Sequence, residues 1–360
     1  MATCRAEYEQ FLLVMLAEDC LEEEGVIMLY DASILNSPYI PYKHYPKFNL
    51  DNLTADECLV RFRFEKDDIS RLADAMRIPE KIVCPNRTVA SKIEGLCIML
   101  QRFAYPNRYC DMVSCFGRSV SELCYIFNEM VDITSLRHGH LLQSFDQEWL
   151  QPNNLKKYAD AVYENGGALE NCWGFVDGTV RPICRPTKNQ KVAYNRHKKV
   201  HAIKFQSVVA ANGLIANLFG PVEGKRHDAR MLTMSGLLTQ LEQHSHAPDG
   251  SPLCIYGDPA YPLRVHLQSP YKNNNQTDAQ KAFNTSMSRV RVSVEWIFGD
   301  IIGHWKFLDF KKDLKLGLSA VGKQYAVAAL LRNALTCLYG STTTNYFYLE
   351  TPTIEQYFQT

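Results

Sequence analysis

A chain of 360 residues, 46% apolar and 11% aromatic, has the material for a substantial buried core and is expected to form two domains, one of them large. Lysine plus arginine equals aspartate plus glutamate at 39 each, so overall charge gives no hint of a nucleic-acid or membrane partner, and any such signal must be local. The twelve cysteines show no CxxC pair, nothing at the start reads as a signal peptide, and no apolar run approaches the roughly 20 residues of a bilayer span. The expectation is a soluble intracellular protein with reduced thiols.

Residues 1–31 carry eight acids against the single Arg5, with Phe11, Leu12, Met15 and Leu16 at helical spacing. This predicts an acidic amphipathic helix whose apolar stripe either packs on the body or faces a partner. Residues 37–45 read as a linker of prolines and tyrosines. From 59 to about 133 the pattern is helical throughout. One helix is expected over 67–76, with two acids at its positive end and Pro79 beyond it. Ser91 and Glu94 have capping-box spacing and open an apolar run to Phe103, closed by Pro106. A short helix over 109–116 closes at Gly117, and Ser119 with Glu122 caps another to about Val131. Three helices with short turns are helix-turn-helix-like, leaving Arg118, Ser119, Ser121 and Asn128 free to touch DNA. Glu122 and Glu129 would repel phosphates, so a purely structural three-helix unit is the equal alternative.

After Asn171 the character changes to strands. The run CWGFVDGT over 172–179 stops at Asp177-Gly178, either a simple turn or a carboxylate presented at a sheet edge. Segments 201–210 and 214–220, joined by Ala211-Asn212-Gly213, form a hairpin on the Asn-Gly signal, with a further antiparallel strand beside the first. Asp228 starts a helix through about Leu241, and the short strand 253–256 ends at Gly257-Asp258. A long helix over 283–305 aligns Val290, Val294, Ile297 and Ile301 along one face, with Glu295 about 100° round from Val294 at the border of that stripe.

Asp177, Asp258 and Glu295 can therefore converge on one point. Three close carboxylates repel one another unless a cation neutralises them, and all-oxygen donors favour Mg²⁺ or Mn²⁺. Two such ions roughly 3.5–4 Å apart can activate a water or hydroxyl and stabilise a leaving oxygen in phosphodiester chemistry. For each acid the alternative is a cap or surface charge. For Glu295 it is specific, because Arg291 lies one turn before it and an exposed i,i+4 pair is worth roughly 0.3–0.5 kcal/mol.

These residues resemble the ordered blocks of the PIF/Harbinger-type DDE transposases and the Harbinger transposase-derived nucleases. The blocks are FVDGT, YNRHKKVHAIKFQSVV, GxxHDAR, GDPAYPL with SPY soon after, and FNxxxSRVRVSVEWIFG, over about 173–310. The stretch QRFAYPNRY to FGRS, 101–119, is similar to that family's helical N-terminal region. The resemblance implies an α/β RNase H-like catalytic core, a mixed central sheet flanked by helices, behind an all-helical N-terminal region with the helix-turn-helix-like segment. It implies domains at 1–58 (acidic helix and linker), 59–150 (helical region), 151–345 (nuclease) and 346–360 (C-terminal tail). Asp177, Asp258 and Glu295 become the catalytic metal ligands, with 36 residues between the last two as in the family. Val180 stands where many relatives have His, and Leu331-Arg332-Asn333 where they have a His-Asn, neither removing a metal ligand. Asp228 is a secondary metal candidate, with a helix N-cap as the alternative.

From Gly178 to Val222 there is no acid, while Arg181, Arg185, Lys188, Lys191, Arg196, Lys198, Lys199 and Lys204 are basic and Tyr194 lies among them. Beside the acids such a window suits a phosphate backbone, the alternative being a solvated hairpin loop. Arg289 and Arg291 add phosphate contacts near Glu295. The expected activity is a metal-dependent DNA endonuclease or transposase using Mg²⁺ or Mn²⁺, with two ions expected, or else a domesticated, silent DNA-binding or interaction factor on the same fold. Expected partners are double-stranded DNA and a separately encoded Myb-like DNA-binding protein, with homo-oligomerisation left open. The substrate class implies a nuclear location, with a cytoplasmic pool left open.

Overall fold

The computed structural model describes residues 40–359 together with 13–16, 18, 22 and 24–26. Of the acidic helix expected over 1–31, residues 13–16 and 24–26 are helical, and the rest lies outside the described residues. The chain divides into two compact units, Met1–Asn49 with Asn107–Tyr125 and Leu50–Pro106 with Ile126–Thr360.

In the larger unit, α1 (Ala55–Phe62) opens with a reciprocal cap: Thr54 Oγ1 accepts from Glu57 N at 3.2 Å, and the Glu57 carboxylate accepts from Thr54 N at 2.9 Å. Helix α2 (Lys66–Ala75) follows. The expectation of unbroken helix then fails, because Lys81–Val83 (β1) and Val89–Ser91 (β2) form an antiparallel ribbon. Only Ile82 and Ala90, directly paired, are buried in it. Three-residue alternation is too short to stand out from neighbouring helical periodicity. Helix α3 (Lys92–Ala104) starts as expected at Ser91, whose hydroxyl accepts from Glu94 N at 3.3 Å, and is buried along most of its length.

In the smaller unit, α4 (Tyr109–Phe116) ends at Gly117, held at φ 58°, and Phe48 packs on Phe116 with ring centroids 4.9 Å apart. Helix α5 (Val120–His138) begins in this unit on the expected Ser119/Glu122 cap, belongs to the larger unit from Ile126 on, and runs past Val131. Its added turns are sustained by buried polar groups, Thr134 and a His138 Nε2 bonded to Met76 O at 2.8 Å, which an apolar count does not register.

The remainder of the larger unit holds α6 (Pro152–Glu164), β3 (Cys172–Pro182), the single-turn α7 (Gln190–Ala193), β4 (Tyr194–Asn195), β5 (Val200–Ala210) and β6 (Ile215–Glu223). Then come α8 (Asp228–Ser235), α9 (Leu237–His244), β7 (Cys254–Tyr256), β8 (Leu267–Gln268) and the long α10 (Asp278–His304). One six-stranded sheet runs β4-β5-β3-β7-β8, with β6 also on β5. Pairs β3/β5, β4/β5 and β5/β6 are antiparallel, while β3/β7 and β7/β8 are parallel. The β5–β6 hairpin turns where expected, at Asn212-Gly213, with Gly213 at φ 82°. This mixed sheet flanked by helices is compatible with an RNase H-like DDE core.

Val290, Val294, Ile297 and Ile301 of α10 are all fully buried, as their spacing requires. Helix α11 (Val321–Tyr339) is buried through most of its length, and its Asn333 accepts from Ile215 N at 2.9 Å and donates to Ile215 O at 3.0 Å, completing the start of β6. Helices α12 (Thr342–Phe347) and α13 (Ile354–Phe358) follow, and Ile354, Tyr357 and Phe358 are buried. Each described cysteine is a free thiol, and no described helix is long and apolar enough to cross a membrane.

Candidate active site

Asp177 does not end a strand. Strand β3 continues to Pro182 because it stays paired with β5 on one side, Asp177 opposite Ser207 and Pro182 opposite Ala202. On its other side the parallel partner β7 stops at Tyr256, opposite Phe175. Asp177 thus stands just beyond the last parallel pair, and Asp258 follows two residues after β7 ends, so both acids come to the carboxyl end of the parallel pair. In open α/β sheets that is where ligand crevices form. The Asp177 carboxylate accepts from Gly178 N at 2.8 Å and that of Asp258 from Ala260 N at 2.9 Å.

Glu295, next to buried Val294 on α10, is 58% exposed and reaches Asp177 through Arg291. The guanidinium lies 3.5 Å from Asp177 Oδ2 through Nη1 and 3.5 Å from Glu295 Oε1 through Nη2. Burial pushes the Asp177 carboxyl up to about 6; Arg291 and the Gly178 N–H oppose the rise, and the charges of Asp258 and Glu295 add to it. The three acids therefore act as one electrostatic cluster around Asp177. Tyr261, fully buried in the GDPAYPL stretch with no hydrogen bond to its hydroxyl, is kept in its neutral form by burial first and then by Asp228, Asp177 and Asp258. Sequence reading missed it, although its place three residues after Asp258 was visible.

Among the described residues no group of three or more His, Cys, Asp or Glu side chains is arranged ready to hold a metal ion. The donor set nevertheless fits a hard divalent cation: carboxylate oxygens only, and one of them, Asp177, disfavoured as an anion where it stands. Asp177, Asp258 and Glu295 are the residues that would hold it.

Asp228 is not the N-cap of α8, a position taken by His227. Its carboxylate is instead claimed by a long-range partner, Lys204 of β5, whose Nζ donates to Asp228 Oδ1 at 2.7 Å and to Arg226 O at 2.9 Å. Lys204 is only 6% exposed. A Cβ at position 178 would lie 2.5 Å from Asp228 Oδ1, so glycine in the DGT triplet serves a close approach.

Asp177, Asp228 and Asp258 line a groove of about 1170 Å³ whose other walls are cationic. Of the basic window expected to meet DNA, Arg185, Lys191, Arg196, Lys198 and the Asp228-bound Lys204 line it, together with Tyr194, whose ring meets His201 edge-on at 5.4 Å. Asn195 shapes this wall, donating to Gly224 O and accepting from Lys198 N, both at 2.8 Å. The other expected contacts lie outside the lining. Arg181 is bonded to Thr179 and covers the Tyr325 ring at 5.5 Å; Lys188 and Lys199 are exposed elsewhere; Arg289 donates to Asn165 O at 3.1 Å; Arg291 is held by the acids. Lys225, Arg226, His197, His201 and His227 line the groove without having been singled out. Lys225 and Arg226 were overlooked because Glu223 closes the acid-free window before them.

Comparisons with curated proteins and with solved structures give no match. Residues 176–333, which include Asp177, Asp228, Asp258 and Glu295, match the family model described as a DDE superfamily endonuclease. Over that span the chain is similar to enzymes that generally use divalent metal ions to cut DNA, and the match supports a DDE transposase-like nuclease.

Proposed function

We propose that this chain is a Mg²⁺- or Mn²⁺-dependent DNA endonuclease of the PIF/Harbinger transposase type, cutting phosphodiester bonds at transposon ends with Asp177, Asp258 and Glu295 as its metal ligands. The observation that carries the reading is the acid cluster around Asp177, two of whose members, Asp177 and Asp258, line a cationic groove. Asp177, Asp258 and Glu295 would hold a pair of divalent cations, and the chemistry supplied there would be activation of a water or hydroxyl and stabilisation of the leaving oxygen. The chain's own residues bind and orient: Arg185, Lys191, Arg196 and Lys198 hold the phosphate backbone, and the Lys204–Asp228 pair fixes the groove floor beside Gly178. The resemblance to that family extends the proposal to a nuclease core over 151–345, a nuclear location, a homo-oligomeric assembly and a Myb-like partner contacted through residues 1–31. Unchanged partner capture after deletion of 1–31 would remove that last contact.

The test is nicking of DNA carrying cognate ends by the full chain in Mg²⁺ or Mn²⁺, beside Asp258→Ala. Metal-dependent cutting by the wild type, reduced by Asp258→Ala to the level seen in chelator, is expected. Absence of metal-dependent cutting by the wild type overturns the enzyme reading. A second reading, a catalytically silent DNA-binding factor, is favoured by one observation: the Arg291 guanidinium stands between Asp177 and Glu295. It is distinguished by salt-sensitive DNA binding without cleavage in either metal.

A further inference from the structure

We infer that Arg291 is the resident counter-ion of the acid cluster, holding Asp177 and Glu295 together in the metal-free protein and yielding its place beside Asp177 to a divalent cation. The inference rests on the metal-site reading proposed above. Arg291 sits one helical turn before Glu295 on α10 and is 20% exposed, so its charge is largely committed inward. A strong arginine–carboxylate pair is a two-pronged fork of short N–H···O bonds. The same molecule contains one, Arg71 to Glu355, with Nε–Oε1 at 2.6 Å and Nη2–Oε2 at 3.0 Å. Arg291 forms no such fork. It splits its two nitrogens between two acids at 3.5 Å each, and its buried Nη1 has no hydrogen-bond partner.

The contact is therefore Coulombic, and a Coulombic contact is exchanged for a larger charge at the same place. One positive charge serves two carboxylates and leaves the cluster net negative. A divalent cation beside Asp177 would be repelled by the guanidinium, so Arg291 stabilises the empty cluster and opposes its filling. A phosphate-binding arginine would do neither.

The experiment measures Mn²⁺ binding to the full chain without DNA, by the electron paramagnetic resonance signal of free Mn²⁺, for wild type, Arg291→Gln, Arg291→Lys and Asp258→Asn. Arg291→Gln is expected to bind Mn²⁺ roughly fivefold or more tightly than wild type, and Arg291→Lys, which keeps the charge, within about twofold of it. Equal or weaker Mn²⁺ binding by Arg291→Gln overturns the inference. If wild type and Asp258→Asn bind Mn²⁺ alike, the metal-site reading itself fails, and the inference falls with it. A second measurement needs no variant: phenylglyoxal modification of Arg291 in the wild-type chain, read by peptide mass spectrometry. Faster modification in Mn²⁺ than in chelator is expected, and equal or slower modification overturns the proposal even where Arg291→Gln does not fold.

Discussion

Two cation–carboxylate contacts meet at the Asp177-Gly178 dipeptide, and they are built differently. Lys204 and Asp228 are joined at 2.7 Å, with the lysine 6% exposed and its ammonium bonded a second time to Arg226 O. Arg291 stands 3.5 Å from each of two acids, and its buried Nη1 makes no hydrogen bond. The first is a closed pair whose donors and acceptors satisfy one another. The second leaves charge and hydrogen-bonding capacity unspent. A closed pair contributes to the fold and an open one is available for exchange, so the groove wall is fixed where Lys204 lies and the acid cluster beside it is adjustable where Arg291 lies.

The largest expected effect breaks the closed pair. Lys204→Met strands the Asp228 carboxylate and the Arg226 carbonyl beside the groove floor. Removing one partner of a buried pair costs about 3–5 kcal/mol, and with Asp228 27% exposed a loss of about 2–3 kcal/mol is expected in urea denaturation. Adding Asp228→Asn should recover at least half of it. A single-variant loss below about 1 kcal/mol would show that this pair is no more structural than the Arg291 contact.

The open site should answer with the opposite sign. A folded value of about 6 for Asp177 lies above the ordinary 3.9, so the folded chain holds this proton more tightly than the unfolded one. The stability this gives is fully present below about pH 4 and is lost as pH rises through about 6. In chelator at pH 7.5, Asp177→Asn is expected to be more stable than wild type by roughly 2 kcal/mol, less than the full shift implies because the Asp177 side chain keeps 19% of its surface in contact with screening solvent. The gain should shrink to nothing by pH 4. A variant less stable than wild type at pH 7.5 in urea denaturation means the cluster is already well compensated, and Arg291 is then a closed partner like Lys204.

Features fixed by short-range chemistry were legible in the sequence. The Ser91 and Ser119 caps, the αL glycine at 117, the Asn212-Gly213 turn and the buried stripe of α10 each follow from residues within a turn or two of one another. Features decided by a distant partner were not. Asp-Gly has the same local chemistry in a turn and in a strand, and only pairing with β5 carries β3 on to Pro182. Asp228 reads as a cap until Lys204 claims it from β5, and Arg291 reads as a helical neighbour of Glu295 until β3 brings Asp177 beneath it. The charge census found five of the groove's cations, Lys204 among them, but included Arg181, which packs on Tyr325 of α11.

That last division gives the smallest and most selective effect. Each phosphate neutralised on duplex DNA contributes about 0.9 to the slope of log affinity against log salt. Lys198 lines the groove on the turn that Asn195 holds in place, whereas Arg181 spends its guanidinium on Thr179 and the Tyr325 ring. Lys198→Ala should therefore lower the slope by about one, measured by fluorescence anisotropy with a labelled duplex over a salt series, and Arg181→Gln should leave it unchanged. If Arg181→Gln lowers the slope as much as Lys198→Ala, DNA runs along β3 toward α11 and not through the groove. The three acids would then face the duplex from its flank, and the contrast between fixed and adjustable pairs would concern a surface the substrate does not cross.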